Sequence, residues 1–105
     1  MKLDHRGGKR HHKDLQLCRQ VFDALTYALA ETSIEDLALA TVTPAPSAAR
    51  LLVTLVPTRK DVDLVAALAR VNGVAGHLRE EVAHEVTRRR TPELVFRIGL
   101  EDELQ

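Results

Sequence analysis

Aromatic residues are scarce in this sequence: they make up 3% of its 105 residues, and tryptophan is absent. The core must therefore be built from Leu, Val and Ala, and a platform of rings for stacking bases is not expected. The single cysteine, Cys18, cannot form an internal disulfide, which is typical of a reducing compartment. No apolar run approaches the ~20 residues of a membrane span, and the first fourteen residues lack the pattern of a signal peptide. We therefore expect one small cytoplasmic domain with no membrane partner.

The charge is balanced in total but uneven along the chain. Fifteen Lys and Arg residues match fifteen Asp and Glu residues. Residues 1–20 nevertheless carry six basic and two acidic side chains, whereas residues 21–57 and the last thirteen residues each carry a net charge of −3. A segregated basic segment fits a nucleic-acid or acidic partner, and a solvated terminal tail fits the same pattern equally well.

The first helix is predicted from apolar periodicity. Residues 1–12 are polar, contain two adjacent glycines and are expected to form a flexible basic arm. Asp14 is a candidate N-cap, because apolar residues then recur at spacings of three and four. The predicted buried stripe consists of Leu15, Cys18, Phe22, Leu25 and Leu29. A buried, unreactive thiol is therefore expected at Cys18.

A hairpin is predicted next. Residues 37–43 and 50–56 are two apolar runs that flank a proline-rich loop, and the short connection favours antiparallel pairing. Side chains alternate between the two faces of a strand, so Leu51, Val53 and Leu55 are expected to share one face.

Two further helices are predicted around a pair of glycines. Thr58 and Asp61 form a weak capping box, and the expected buried stripe of the second helix is Val62, Val65, Ala66 and Ala69. Gly73 and Gly76 then predict a break or a close backbone approach, because a glycine costs ~0.5–1 kcal/mol in a helix interior. The third helix is expected to bury Leu78, Val82 and Val86 and to end near three arginines, Arg88, Arg89 and Arg90.

The last predicted element is a strand. Leu94, Phe96, Ile98 and Leu100 alternate with more polar positions, and Pro92 stands just outside the run, where it removes no hydrogen-bond donor from a ladder. The element order is thus α-β-β-α-α-β. It predicts an α+β domain of two layers, with helices covering one face of a small three-stranded sheet.

The motifs together resemble the ribosome-binding factor A family. That family has an Ala-x-Gly kink followed by an apolar residue and Arg, where this sequence has Val74-Ala75-Gly76, His77, Leu78 and Arg79. It also has a basic stretch that leads into Pro-Glu-Leu-x-Phe, where this sequence has Arg88 to Arg90, Thr91 and then Pro92-Glu93-Leu94-Val95-Phe96. The resemblance implies a type II KH-like fold with a kinked helix pair. It departs at Val74, which replaces the first Ala of the kink.

The resemblance implies a non-enzymatic function without cofactors or a small-molecule substrate. A monomer would bind the immature small ribosomal subunit and its ribosomal RNA, and would assist late maturation and rRNA processing. In RNA-binding KH domains a Gly-x-x-Gly turn clamps the nucleic-acid backbone, and basic side chains contact phosphates with a steep dependence on salt. The candidate RNA-binding residues are Lys9, Arg10, Lys13, Gly73, Gly76, Arg79, Arg88, Arg89 and Arg90. The expected domain organisation is a basic arm at 1–12, the KH-like domain at 13–100 and a short acidic tail at 101–105.

Two alternatives remain open in the sequence. A protein-interaction domain of the same fold would bind no RNA, and the acidic residues around Glu35 and Asp36 are compatible with it. A metal site is not expected, because His77 and His84 are separated by two helical turns, about 10.5 Å, and cannot both bind one zinc ion. A metal-dependent enzyme would need three ligands that converge near one helix.

Overall fold

The computed structural model describes the backbone of residues 3–45, 49–86 and 91–99, and the side chains of this part from residue 15 onward. Its elements are α1 (Leu3–Ala30), β1 (Leu37–Pro44), β2 (Arg50–Pro57), α2 (Leu64–Gly73), α3 (Ala75–Glu85) and β3 (Glu93–Ile98). The predicted α+β class and the predicted order of six elements are confirmed.

Helix α1 is longer than predicted. It begins at Leu3 and has 28 residues, a length of about 42 Å. The prediction of an N-cap at Asp14 is therefore wrong, since residues 3–12 are helical. The basic arm at 1–12 as a separate unit stays a prediction. Lys, Arg, Leu and Gln favour helices, so the cost of ~1 kcal/mol at each of the two glycines in this stretch does not end the helix. The predicted domain boundary after residue 12 thus falls inside a helix.

The inward face of α1 differs in part from the predicted stripe. Leu15 is 51% exposed, so its predicted burial is wrong, and Phe22 and Leu29 are half-buried. Cys18 is buried, as predicted. The buried residues of this helix are Leu17, Cys18, Val21, Ala24, Leu25 and Ala28. This face packs against α3 and β1.

The sheet has the order β1-β2-β3. Strands β1 and β2 pair antiparallel, which confirms the hairpin, and their register shifts between Leu39 and Thr41. Strand β3 pairs parallel to β2, from Arg50 opposite Glu93 to Leu55 opposite Ile98. Parallel neighbours require a crossover connection, which here contains α2 and α3. The predicted common face of Leu51, Val53 and Leu55 is confirmed, since all three are at most 1% exposed.

Helix α2 begins later than predicted and buries a different face. Its N-cap is Asp63, whose Oδ1 accepts hydrogen bonds from the Val65 and Ala66 amides at 3.1 and 3.2 Å. Ala67 and Val71 are buried, whereas Val65 is 82% exposed. The predicted capping box at Thr58 and the predicted buried stripe are therefore wrong. The apolar residues in α2 are so dense that their periodicity does not single out one face.

Helix α3 and strand β3 follow the prediction closely. Leu78, Val82 and Val86 are at most 2% exposed, and the helix ends at Glu85, slightly earlier than expected. Pro92 precedes β3, and Leu94 is buried in it. The core consequently lies between the helices and one face of the sheet.

Candidate nucleic-acid interface

The predicted break between the second and third helices is confirmed at Val74. This residue ends α2 and begins α3, with φ −110° and ψ 8°. Its N–H donates to the Val71 carbonyl at 3.1 Å, and its own carbonyl accepts from the Leu78 N–H at 3.0 Å. Val74 is half-buried and packs against the core. A single non-helical residue therefore separates the two helices, and its side chain anchors the break.

Neither position beside the break needs a glycine to avoid a steric clash within the protein. A Cβ added to Gly73 or Gly76 would meet no atom within 4 Å, and neither residue has a left-handed φ. Of the two predicted reasons for the glycines, the break is therefore confirmed, and a close approach by another molecule stays a prediction. Both glycines are exposed. What they provide is an uncovered backbone at the end of α2 and in the first turn of α3.

Arg79 is held between α3 and β3. Its Nη2 donates to the Leu94 carbonyl at 3.3 Å, and its guanidinium carbon lies 5.9 Å from the centroid of the Phe96 ring. An exposed cation–π contact of this kind contributes ~0.5–1 kcal/mol. Among the described residues, Arg79 has no carboxylate partner. A guanidinium has five N–H donors, so most of them remain available to a ligand on this exposed residue.

The other candidate residues are placed only through the backbone. Lys9, Arg10 and Lys13 lie in the N-terminal half of α1, and their side chains are outside the described set. Arg88, Arg89 and Arg90 fall between the described residues Val86 and Thr91.

The topology separates the candidates into two groups. The Glu93 amide donates to the Ala49 carbonyl at 2.9 Å, so the segment after α3 leads to the end of the sheet where β2 begins. Residues of α1 near Leu15 line a groove with Val42, close to the end of β1, so the preceding turns of α1 extend towards the same end. The break at Val74 lies at the opposite end of α3, about 18 Å away along the helix axis.

The surface of α3 between these two groups is not uniformly basic. Glu80 and Glu85 are exposed on this helix, and Glu81 is half-exposed. A polyanion that contacted both ends of α3 would therefore meet carboxylates along its middle. This feature was not predicted, although the acidic residues are visible in the sequence at helical spacing.

An ion pair beside the start of the sheet was not predicted either. Arg70 of α2 pairs with Asp36, which precedes β1. Both line a polar cleft together with Ser33, Glu35, Thr58 and Arg59. No local pattern could have revealed this pair, because the two residues are distant in the chain. Asp36 thus has a structural partner, which reduces its availability to an external one.

The order α-β-β-α-α-β, the parallel pairing of β2 with β3 and the broken helix pair define a KH-like α+β domain. The chain is similar to the crystal structure of ribosome-binding factor A from Thermus thermophilus, with a TM-score of 0.64. That match covers 81% of this chain and 94% of the other, at 24% sequence identity. It shows that the two chains share a fold. Comparison with protein-family models and with curated proteins gives no match.

Within the part of the chain that the structure describes, no helix is both long enough and apolar enough to cross a membrane. From residue 15 onward, helix α1 has one buried face and one exposed face that carries charged residues. Its apolar face is used against α3 and β1.

Proposed function

We propose that this chain is a non-enzymatic assembly factor that binds the immature small ribosomal subunit in the cytoplasm. In this role it contacts ribosomal RNA and assists late maturation and rRNA processing, as members of the ribosome-binding factor A family do. The observation that carries the proposal is the fold that this chain shares with ribosome-binding factor A. The break between α2 and α3 of this chain lies where the sequence resembles the kink of that family. Of the motifs that resemble that family, Val74-Ala75-Gly76 forms the break and Pro92 to Phe96 leads into β3.

The exposed backbone at Gly76 supports a contact with the sugar-phosphate chain, and Gly73 beside it has no side chain that would block the approach. Backbone N–H groups at a helix start attract phosphate oxygens, and Gly76 lies in the first turn of α3. No side chain of the protein covers either glycine within 4 Å of an added Cβ. The proposed contact therefore needs no rearrangement of the protein.

The basic residues supply the second part of the proposed interface. We propose that Lys9, Arg10 and Lys13, in the N-terminal half of α1, and Arg88, Arg89 and Arg90, which precede β3 in the sequence, contact phosphates. Phosphate contacts by such residues release counterions, so binding should weaken steeply as salt increases. Because Gly73 and Gly76 lie at the other end of α3, the proposed RNA contact is bipartite.

The experiment is co-sedimentation of the purified protein with free small ribosomal subunits over a salt series. The double variant R89A/R90A is compared with R59A/K60A, which removes the same charge from exposed residues between β2 and α2. We expect the first variant to bind more weakly and to lower the salt slope by about 1 for each phosphate that it no longer neutralises. The second variant should bind as the unmodified protein does. Absence of binding at low salt by the folded protein would refute the proposal.

A second candidate function is supported by the outer face of α2. Val65 is 82% exposed and Leu64 is 37% exposed, and Ala66 and Ala69 are exposed on the same helix. An exposed apolar face of this kind suits a protein partner better than RNA. In that case the domain would interact through α2 without contacting RNA. This function would be favoured if V65D abolished binding to the small subunit while R89A/R90A left it intact. Binding should then also be insensitive to salt.

A further inference from the structure

Three metal-ligating side chains converge where the end of α1 meets α3. Glu31 directly follows α1, and His77 and Glu81 lie one turn apart on α3. One ligand atom from each residue lies within 4.8 Å of the other two. No sequence pattern predicts this set, because Glu31 is far from the other two residues in the chain and only the packing of α1 on α3 joins them.

We propose that Glu31, His77 and Glu81 bind a divalent cation of the zinc class. One imidazole nitrogen and two carboxylate oxygens are donors that zinc accepts, and three protein ligands leave a fourth position for water. The same mixed nitrogen and oxygen set disfavours Mg²⁺ and Ca²⁺, which prefer oxygen ligands alone. The two carboxylates also balance the charge of the cation.

The geometry permits this coordination with small side-chain movements. Residues four apart on a helix share one face, so His77 and Glu81 can bind the same ion. Donor atoms around a tetrahedral zinc lie about 3.4 Å apart, because each is 2.0–2.2 Å from the metal. Glu31 and His77 are exposed and free to change rotamer, while Glu81 is half-buried and more constrained.

The surroundings leave these donors available. Within the described part of the chain, no lysine or arginine forms an ion pair with Glu31 or Glu81. The backbone of Glu31 is fixed, since its N–H donates to the Ala28 carbonyl at 3.2 Å. A bound cation would therefore join the C-terminal end of α1 to the first turns of α3, next to the break at Val74.

The test is isothermal titration of Zn²⁺ into the full chain in a buffer that does not chelate metal. We expect one zinc per chain at this site, with affinity reduced at least ~10-fold by H77Q and by E81Q. The matched controls H84Q and E80Q change exposed residues of the same type on the same helix, outside the cluster. Both controls should bind zinc as the unmodified protein does.

Thermal unfolding provides the second measurement. Because a ligand that binds the folded state stabilises it, zinc should raise the melting temperature of the unmodified protein and of E80Q but not of E81Q. Absence of zinc binding would overturn the proposal. So would binding that H77Q and E81Q retain, since the ion would then be bound elsewhere, for example at His11 and His12. Both outcomes can be interpreted once far-ultraviolet circular dichroism shows that each variant is folded.

Discussion

Arg70, in the last turn of α2, donates a hydrogen bond from Nη2 to Oδ2 of Asp36, which directly precedes β1. The Asp36 side chain is only 14% exposed, whereas that of Arg70 is 52% exposed. The backbone carbonyl of Asp36 also accepts from the Thr58 amide at 2.9 Å. The pair therefore ties α2 to both strands of the hairpin at the end where β1 begins.

Removal of Arg70 should destabilise the fold. R70A leaves the Asp36 carboxylate largely buried without its cation, and an unsatisfied buried group costs ~1–3 kcal/mol. R59A is the control, since Arg59 pairs with Asp61, whose side chain is 80% exposed, and this pair should contribute ~0–1 kcal/mol. Chemical denaturation measures both free energies of unfolding. Equal effects of R70A and R59A would show that the pair with Asp36 contributes no more than a surface ion pair.

The N-cap of α2 gives a second prediction. D63A removes the carboxylate that accepts from the Val65 and Ala66 amides, and loss of an N-cap costs ~0.5–2 kcal/mol. D61A removes a carboxylate two residues earlier that caps no helix. We expect urea denaturation to show a clear loss of stability for D63A and little change for D61A. The reverse order would mean that the helix begins at the capping box near Thr58 after all.

Substitution of Gly76 by alanine should weaken binding to small ribosomal subunits without lowering the stability of the fold. G76A adds a Cβ that meets no neighbour, and alanine is favoured over glycine in a helix by ~0.5–1 kcal/mol. The variant should therefore be as stable as the unmodified protein or slightly more stable, while its binding to small ribosomal subunits weakens if the backbone contacts RNA.

The control for this substitution is A83G, which changes an exposed position of the same helix in the opposite sense. It should lower stability by ~0.5–1 kcal/mol without an effect on binding. Thermal melting and co-sedimentation measure the two properties. A large loss of stability in G76A would contradict the open space described around Gly76.

Substitution of two helix leucines, one buried and one exposed, should have very different effects on stability. Leu78 is fully buried, so L78A should cost ~2–5 kcal/mol through reduced burial and the cavity left behind. Leu15 belongs to the stripe predicted from the sequence but is 51% exposed, so L15A should cost far less. Denaturation curves of the two variants test the inward face of α1. A comparable destabilisation by both would support the sequence-based prediction that Leu15 is buried.

Local patterns predicted several elements correctly because each pattern had one clear interpretation. The period of two along β2 places Leu51, Val53 and Leu55 on one face, and the spacing of Leu78, Val82 and Val86 marks one face of α3 among mostly polar neighbours. The two glycines around Val74 likewise indicated the break between the helices.

The sequence-based predictions were wrong where a local pattern fitted more than one structure. In α2 every residue from Leu64 to Val71 except Arg70 is apolar, so periodicity could not distinguish Ala67 from Val65 as the buried residue. At the start of α1, Asp14 resembled a cap, although an aspartate can also lie inside a longer helix.

The sequence by itself determined the order of the elements, the α+β class, the residues that share a face of β2 and the buried face of α3. These depend on the spacing of apolar residues over short stretches of the chain. Only the tertiary structure decided the parallel pairing of β2 with β3, the ion pair of Arg70 with Asp36, and the meeting of Glu31 with His77 and Glu81. Each of these joins residues that are far apart in the chain, and the burial of a shared core, rather than any local pattern, brings them together.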